Sequence, residues 1–253
     1  MPLLTQQRIT RCHSWLIACS FLISLAMVSG ADGNEPARRG NALFDGKTLE
    51  GWEVVGEQDF SQHGEVQVQE GVIRIAAGLP ASGIRYSGEV MRTNYDLSFD
   101  ARRDEGSDFF CGLTFPVGDD YLTLIVGGWG GSIVGLSNLD GASASENEST
   151  HVIDFDNGKW YRFRLQVEEK SIRLWIDEEE TFDIDIEDRE LSIWWEQEPM
   201  RPLGICSWYT STSLRNIEMR SLDASGDDPP AVERGSTFRP QPRRRIFRRR
   251  RMG

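Results

Sequence analysis

Three groups of residues in this chain have the types and spacing that chemistry needs. Asp108 lies in Ser107-Asp108-Phe109-Phe110-Cys111-Gly112, a carboxylate beside aromatic side chains at the head of an apolar run. Trp129 is set in Gly127-Gly128-Trp129-Gly130-Gly131. Glycines let a ligand or another backbone come close, and a tryptophan among them can stack on the apolar face of a pyranose. The alternative is a bend between two strands with Trp129 packed inside. The third group is the polar run Asn138 to Ser149, in which Glu146 and Glu148 flank Asn147 and Asp140 lies near. Paired carboxylates serve as general acid and base at a glycosidic bond, and such oxygens suit Ca²⁺. A solvated acidic loop would use the same residues without chemistry. The expectation is therefore that Asp108, Glu146 and Glu148 are catalytic and that Trp129 and Asn147 hold the substrate. No metal ligand is assigned, and no cofactor is expected beyond the Ca²⁺ that the loop would suit.

Other chemistries lack their residues. His63 and His151 are far apart and no Cys-x-x-Cys occurs, so a zinc site has no ligand pattern. The glycine loop has no lysine, so no P-loop is met, and no serine elbow is present. Asp183, Asp185 and Glu187 share one face of a strand and echo the catalytic strand of laminarinase-type sandwiches. Their segment follows a tight acidic turn and reads as an outer strand with a wet face. Trp194, Trp195, Trp208 and Tyr209 are expected in the core, with Trp208 and Tyr209 on opposite faces so that only one lies inside.

The elements that must position these groups are strands. Glu65–Gln69 and Val72–Ile75 alternate on either side of Glu70-Gly71, a hairpin with period two on both arms. Leu97–Arg102 alternates again. Tyr161, Phe163, Leu165 and Val167 fall on one face, answered by Ile172, Leu174 and Ile176, then by Phe182, Ile184 and Ile186. Leu203–Tyr209 and Leu214–Leu222 close the series. No stretch of useful length has a helical period. The pattern predicts an all-β fold, an antiparallel two-sheet β-sandwich over residues 43–222.

Leu43-Phe-Asp-Gly-x-x-Leu-x-Gly-Trp52 opens that domain, with a turn on Asp45-Gly46 between Phe44 and Trp52. This pattern resembles the opening strand of the 3-keto-disaccharide hydrolase domain family. The resemblance extends through Gly71-Val72-Ile73, Tyr95–Phe99, Gly158–Arg162, Trp175-Ile176-Asp177, Pro202–Ile205 and Leu214–Ile217. It implies a concanavalin A-like jelly roll and a saccharide ligand, with cleavage of an oxidised disaccharide or glycoside. The chain departs from the family where Phe115-Pro116 follows Cys111-Gly112-Leu113, a place that often carries arginine, which marks a divergent member. A non-catalytic saccharide-binding or cell-envelope module on the same fold is the alternative.

The ends read differently. Arg8 and Arg11 precede the apolar run Trp15–Val28, and Ser29-Gly30-Ala31 follows, as in a secretory signal over residues 1–30. Residues 31–42 form a polar leader. The expected location is periplasmic or extracellular, in a bacterium. Residues 31–233 carry 17 Lys+Arg against 40 Asp+Glu, a formal −23. A field of that sign excludes nucleic acid and anionic polymers as partners of the domain itself. Residues 223–253 read as a linker and a tail with nine arginines beyond Glu233. Such a tail suits an anionic polymer or a membrane surface. Nothing in it reads nucleic-acid sequence, and the oligomeric state is not legible. Cys111 and Cys206 are expected as buried thiols, with a bridge as the alternative.

Overall fold

The computed structural model describes residues 41–222. The expected export segment, residues 31–40 of the leader and the arginine-rich tail lie outside the described residues.

Fifteen strands form in chain order: β1 (Asn41–Ala42), β2 (Trp52–Val54), β3 (Val66–Gln69), β4 (Val72–Ile75), β5 (Ala81–Tyr86), β6 (Tyr95–Glu105), β7 (Cys111–Val117), β8 (Asp120–Gly127), β9 (Ile133–Ser137), β10 (His151–Val152), β11 (Tyr161–Val167), β12 (Ser171–Ile176), β13 (Glu179–Asp185), β14 (Leu203–Trp208) and β15 (Ser211–Ser221). Sheet A runs β13-β12-β11-β6-β15-β4-β3, with β1 added to β15; sheet B runs β10-β9-β8-β7-β14-β5-β2. Every pairing is antiparallel. This is the antiparallel two-sheet sandwich that period two predicts, with the jelly-roll order that the resemblance implies.

Alternation explains which side chains fill the space between the sheets. In β6 and β11, Leu97, Phe99, Phe163 and Leu165 are wholly buried, and the Phe99 and Phe163 rings stack at 5.2 Å. The other face of sheet A is ionic. Asp96 takes a two-pronged bond from Arg164, at 3.0 and 3.1 Å, and a further bond from Arg220. Asp100 pairs with Arg162 and Arg215, each at 3.0 Å. Arg102 and Arg215 both lie over the Trp160 ring. Asp183 and Asp185 are exposed on β13, the outer strand of sheet A. The opening motif forms its turn as Asp45 Oδ1 accepts from the Lys47 and Thr48 N–H groups.

Sheet B breaks the alternation. Every residue of β7 is buried, because a strap crosses the outer face of this sheet. The strap is a 3₁₀ turn, Trp195–Met200. Met200 packs there with Val55, Phe60, Ala81 and Cys206 as a second, small apolar cluster. Cys111 belongs to the main core, on the opposite face of sheet B from Cys206, and both thiols are free and buried. Burial pushes the Cys111 thiol well above its usual range and the Cys206 thiol up to about 12.

Candidate functional site

What the strap leaves open is a groove of about 340 Å³ on the outer face of sheet B. Its floor comes from β8, β9 and β14. Thr123 and Ile125 project from β8, Ser137 from β9 and Trp208 from β14. Beneath the strap the polar atoms are matched. Thr114 Oγ1 meets Thr123 Oγ1 at 3.0 Å, and both the Thr114 hydroxyl and the Cys206 thiol donate to Gln197 Oε1. Gln197 is thereby pinned to the sheet, and it fixes the strap residues on either side of it.

The walls are aromatic. Phe109, Trp129, Trp194 and Trp208 all line the groove. Trp129 is 52% exposed and Trp194 47% exposed. Phe109 and Trp208 stack at 5.9 Å with 28° between their planes. Asp108 and Glu196 are the two charged residues of the lining, and no basic residue belongs to it. Asp108 Oδ1 accepts from the Phe109 N–H at 2.7 Å. Glu196 Oε2 is shielded from solvent and has no hydrogen-bond partner among the described residues.

Trp129 is held in a costly conformation. Its φ is 48°, the left-handed region that large side chains avoid. The brace is Arg103. By the alternation of β6 this residue occupies a core row, after Tyr95, Leu97, Phe99 and Ala101, and it is 7% exposed. Its guanidinium donates to Gly131 O at 3.2 Å, to Phe155 O and to Asn157 Oδ1 at 2.6 Å, and lies 5.7 Å from the Phe110 ring. No carboxylate of the described residues pairs with it. At Gly131 a Cβ would stand 2.8 Å from Arg103 Nη1 and 3.0 Å from Ser107 O, so only glycine fits. Arg103 thus joins the Trp129 loop to the 155–157 loop, and Asn157 continues the link to Gly106 O.

Of the residues singled out from sequence, the structure brings Asp108 and Trp129 together and leaves the other three outside the groove lining. Asn147 staples its own loop. Its amide nitrogen donates to Leu136 O, Ala142 O and Ser143 O, and its oxygen accepts from Ser149. Glu146 accepts from Ser143 Oγ at 3.0 Å. Glu148 and Asp140 share Arg189. The Arg189 bond holds the Glu148 carboxyl below its usual value; for Asp140 the Glu190 N–H has the larger effect and Arg189 the next. A guanidinium therefore already sits where the loop carboxylates would gather a cation. Among the described residues no group of three or more His, Cys, Asp or Glu is placed to hold a metal ion.

The late aromatics differ from expectation. Trp194 and Trp195 are exposed rather than core, because the strap they ride on lies outside the sandwich. Trp208 does not alternate with Tyr209 across the sheet, since Tyr209 falls in the hairpin tip between β14 and β15 and is exposed. Glu196, Phe109 and Gln197 carried no signal of their own in the sequence. The usable clue was two adjacent tryptophans in a segment without period, followed at once by carboxylates and proline.

The described residues thus form a jelly-roll sandwich with an aromatic groove on one sheet. The chain belongs to the family of 3-keto-alpha-glucoside-1,2-lyase-like domains, whose profile matches residues 40–220. No match to a curated protein was found. Among solved structures, the carbohydrate binding module CBM66 from Bacillus subtilis is 15% identical, covering 68% of this chain and 96% of that one at a TM-score of 0.45. A glycosyl hydrolase family protein from Mycobacterium fortuitum is 11% identical, covering 72% and 98% at 0.47. The carbohydrate recognition domain of Emp46p is 13% identical, covering 68% and 88% at 0.46. What these structures share with the chain is the fold.

Proposed function

We propose that the groove on sheet B binds an uncharged saccharide and cleaves a 3-keto-glycoside in it, with Asp108 and Glu196 as the proton-transferring pair. The observation that carries this reading is the meeting of two carboxylates, and no base, inside one aromatic groove. Tryptophan faces suit the C–H faces of sugar rings. A lining without a cation gives a uronate or sulfate nothing to pair with, and the two carboxylates repel it. A ketone at C3 acidifies the proton on C2. One carboxylate takes that proton, the C1–O bond breaks, and the other carboxylate, in its acid form, protonates the departing oxygen. The products are an unsaturated keto sugar and a free hydroxyl. Glu196 supplies the second carboxylate of the groove lining.

The second reading is a saccharide-binding module without turnover. It is favoured by the tie of Asp108 Oδ1 to its neighbour's N–H, which spends part of that carboxylate on the backbone. Incubation with 3-keto-disaccharides separates the two. Under the first reading sugar is released, and Glu196→Gln or Asp108→Asn slows release by roughly 10²–10⁴-fold. Binding without release across such a panel would leave the module. We further propose export to the cell exterior or periplasm, on the strength of the signal-like residues 1–30; fractionation of cells expressing the full chain tests it.

A further inference from the structure

Tyr209 is an aromatic residue whose placement the core does not explain. It lies in the tip of the β14–β15 hairpin with φ 47°, the region that bulky side chains avoid, and it is 56% exposed. The surrounding backbone fixes that conformation from several sides. The Tyr209 N–H donates to Pro80 O at 2.7 Å, the Trp208 N–H to Phe109 O at 3.0 Å, and Ser207 Oγ to Thr210 O at 2.6 Å. Thr210 Oγ1 accepts from the Asp108 N–H at 3.3 Å. At Gly106 a Cβ would stand 2.7 Å from that same Thr210 oxygen, so the hairpin tip and the loop leading to Asp108 are pressed together. The Tyr209 ring meets Trp208 edge-on, with centroids 6.1 Å apart and 89° between planes. Trp208 in turn stacks on Phe109 inside the groove. The result is one file of aromatic rings, Phe109, Trp208 and Tyr209, from the groove to open solvent.

We propose that Tyr209 forms an outer subsite, continuous with the groove through Trp208, that stacks on a further ring of an uncharged oligosaccharide. This rests on the reading of the groove as a saccharide site. Tyr209 is outside the groove lining but in ring contact with Trp208, so a chain of rings that leaves the groove over Trp208 meets Tyr209 next. Its phenol hydroxyl has no hydrogen-bond partner among the described residues, so it is available to a sugar hydroxyl. Asp108, in the groove lining that such a chain would leave, again disfavours an acidic ring.

Calorimetric titration of the full chain with α-1,4 and β-1,4 gluco-oligosaccharides of one to five rings, native and with the non-reducing ring oxidised to the 3-ketone, tests this. In the parent, affinity should climb as rings are added beyond those the groove holds, then level off. Tyr209→Ala should remove that climb, lowering affinity for the longer members by roughly two- to tenfold and leaving the shortest unchanged. Tyr209→Phe should restore most of it. The melting temperature of Tyr209→Ala should not fall, since the substitution removes little burial. Equal slopes in parent and Tyr209→Ala, or a uniform loss at every length, would overturn the subsite while leaving the groove intact. Failure of every oligosaccharide to bind the parent would overturn the groove reading and the subsite with it.

Discussion

Arg103 shows how much of the site depends on one side chain that never reaches it. A guanidinium in a core row is costly unless its donors are satisfied. Here three neutral acceptors satisfy it, and each belongs to a loop at the same end of the sandwich. Replacement by methionine keeps the apolar stem and strips the donors. Gly131 O, Phe155 O and Asn157 Oδ1 then lose their partner together. Arg103→Met should lower unfolding free energy by about 3 kcal/mol, since the two buried carbonyls it orphans, Gly131 O and Phe155 O, cost on the order of 1–3 kcal/mol each while the exposed Asn157 turns to water. Urea denaturation measures that loss. The same variant should make Trp129 more accessible to acrylamide quenching in a background where the strap tryptophans are phenylalanine. A stability loss without any change at Trp129 would mean that the brace and the aromatic rim are independent.

At the scale of elements, the loop 138–149 and the strap 194–200 are placed differently with respect to the groove. The loop is ordered by internal bonds and by Arg189, and the strap delivers Trp194, Glu196 and Gln197 to the groove. The loop has its own test. Asp140 and Glu148 titrate below their ordinary values of 3.8 and 4.5 in the folded chain. A depressed folded value means that their contribution is present above those ordinary values and is lost as pH falls through the folded ones. Arg189→Gln should therefore destabilise the domain near neutrality, and the gap to the parent should close in acid as pH falls below those ordinary values. Thermal melts across pH 2–7 read this directly; a gap that stays constant would show that Arg189 acts by packing alone. The strands were legible because Tyr161, Phe163, Leu165 and Val167 alternate cleanly against solvent. β7 was less so, since Thr114 sits on an outer face that the strap covers, and period two cannot signal a cover supplied from eighty residues away. Asp108 and Trp129 stood out because a carboxylate beside phenylalanines and a tryptophan among glycines are unusual compositions. Glu196 did not, because one carboxylate in so acidic a chain has no contrast, and only tertiary placement sets it apart.

At the scale of the whole molecule, each strand finds its partners within residues 41–222, and the family match ends at residue 220. A chain cut after Leu222 should fold with unchanged melting temperature and unchanged saccharide binding. The nine arginines removed should matter only for retention on anionic polysaccharide or anionic vesicles. That retention should be strong for the full chain at low salt and fade as salt screens it. Equal retention of the two forms would deny the tail such a role. Unfolding of the shorter form would show that the sandwich extends past its last described strand.

The two outer faces of the sandwich are unlike. Sheet A presents interlocked arginines and aspartates, whereas sheet B presents open aromatic rings. The sandwich is therefore two-sided, ionic on sheet A and aromatic on part of sheet B. A saccharide bound as proposed would lie against sheet B and leave the paired ions of sheet A turned to the surrounding solution, so a ligated molecule would meet its neighbours through that ionic face.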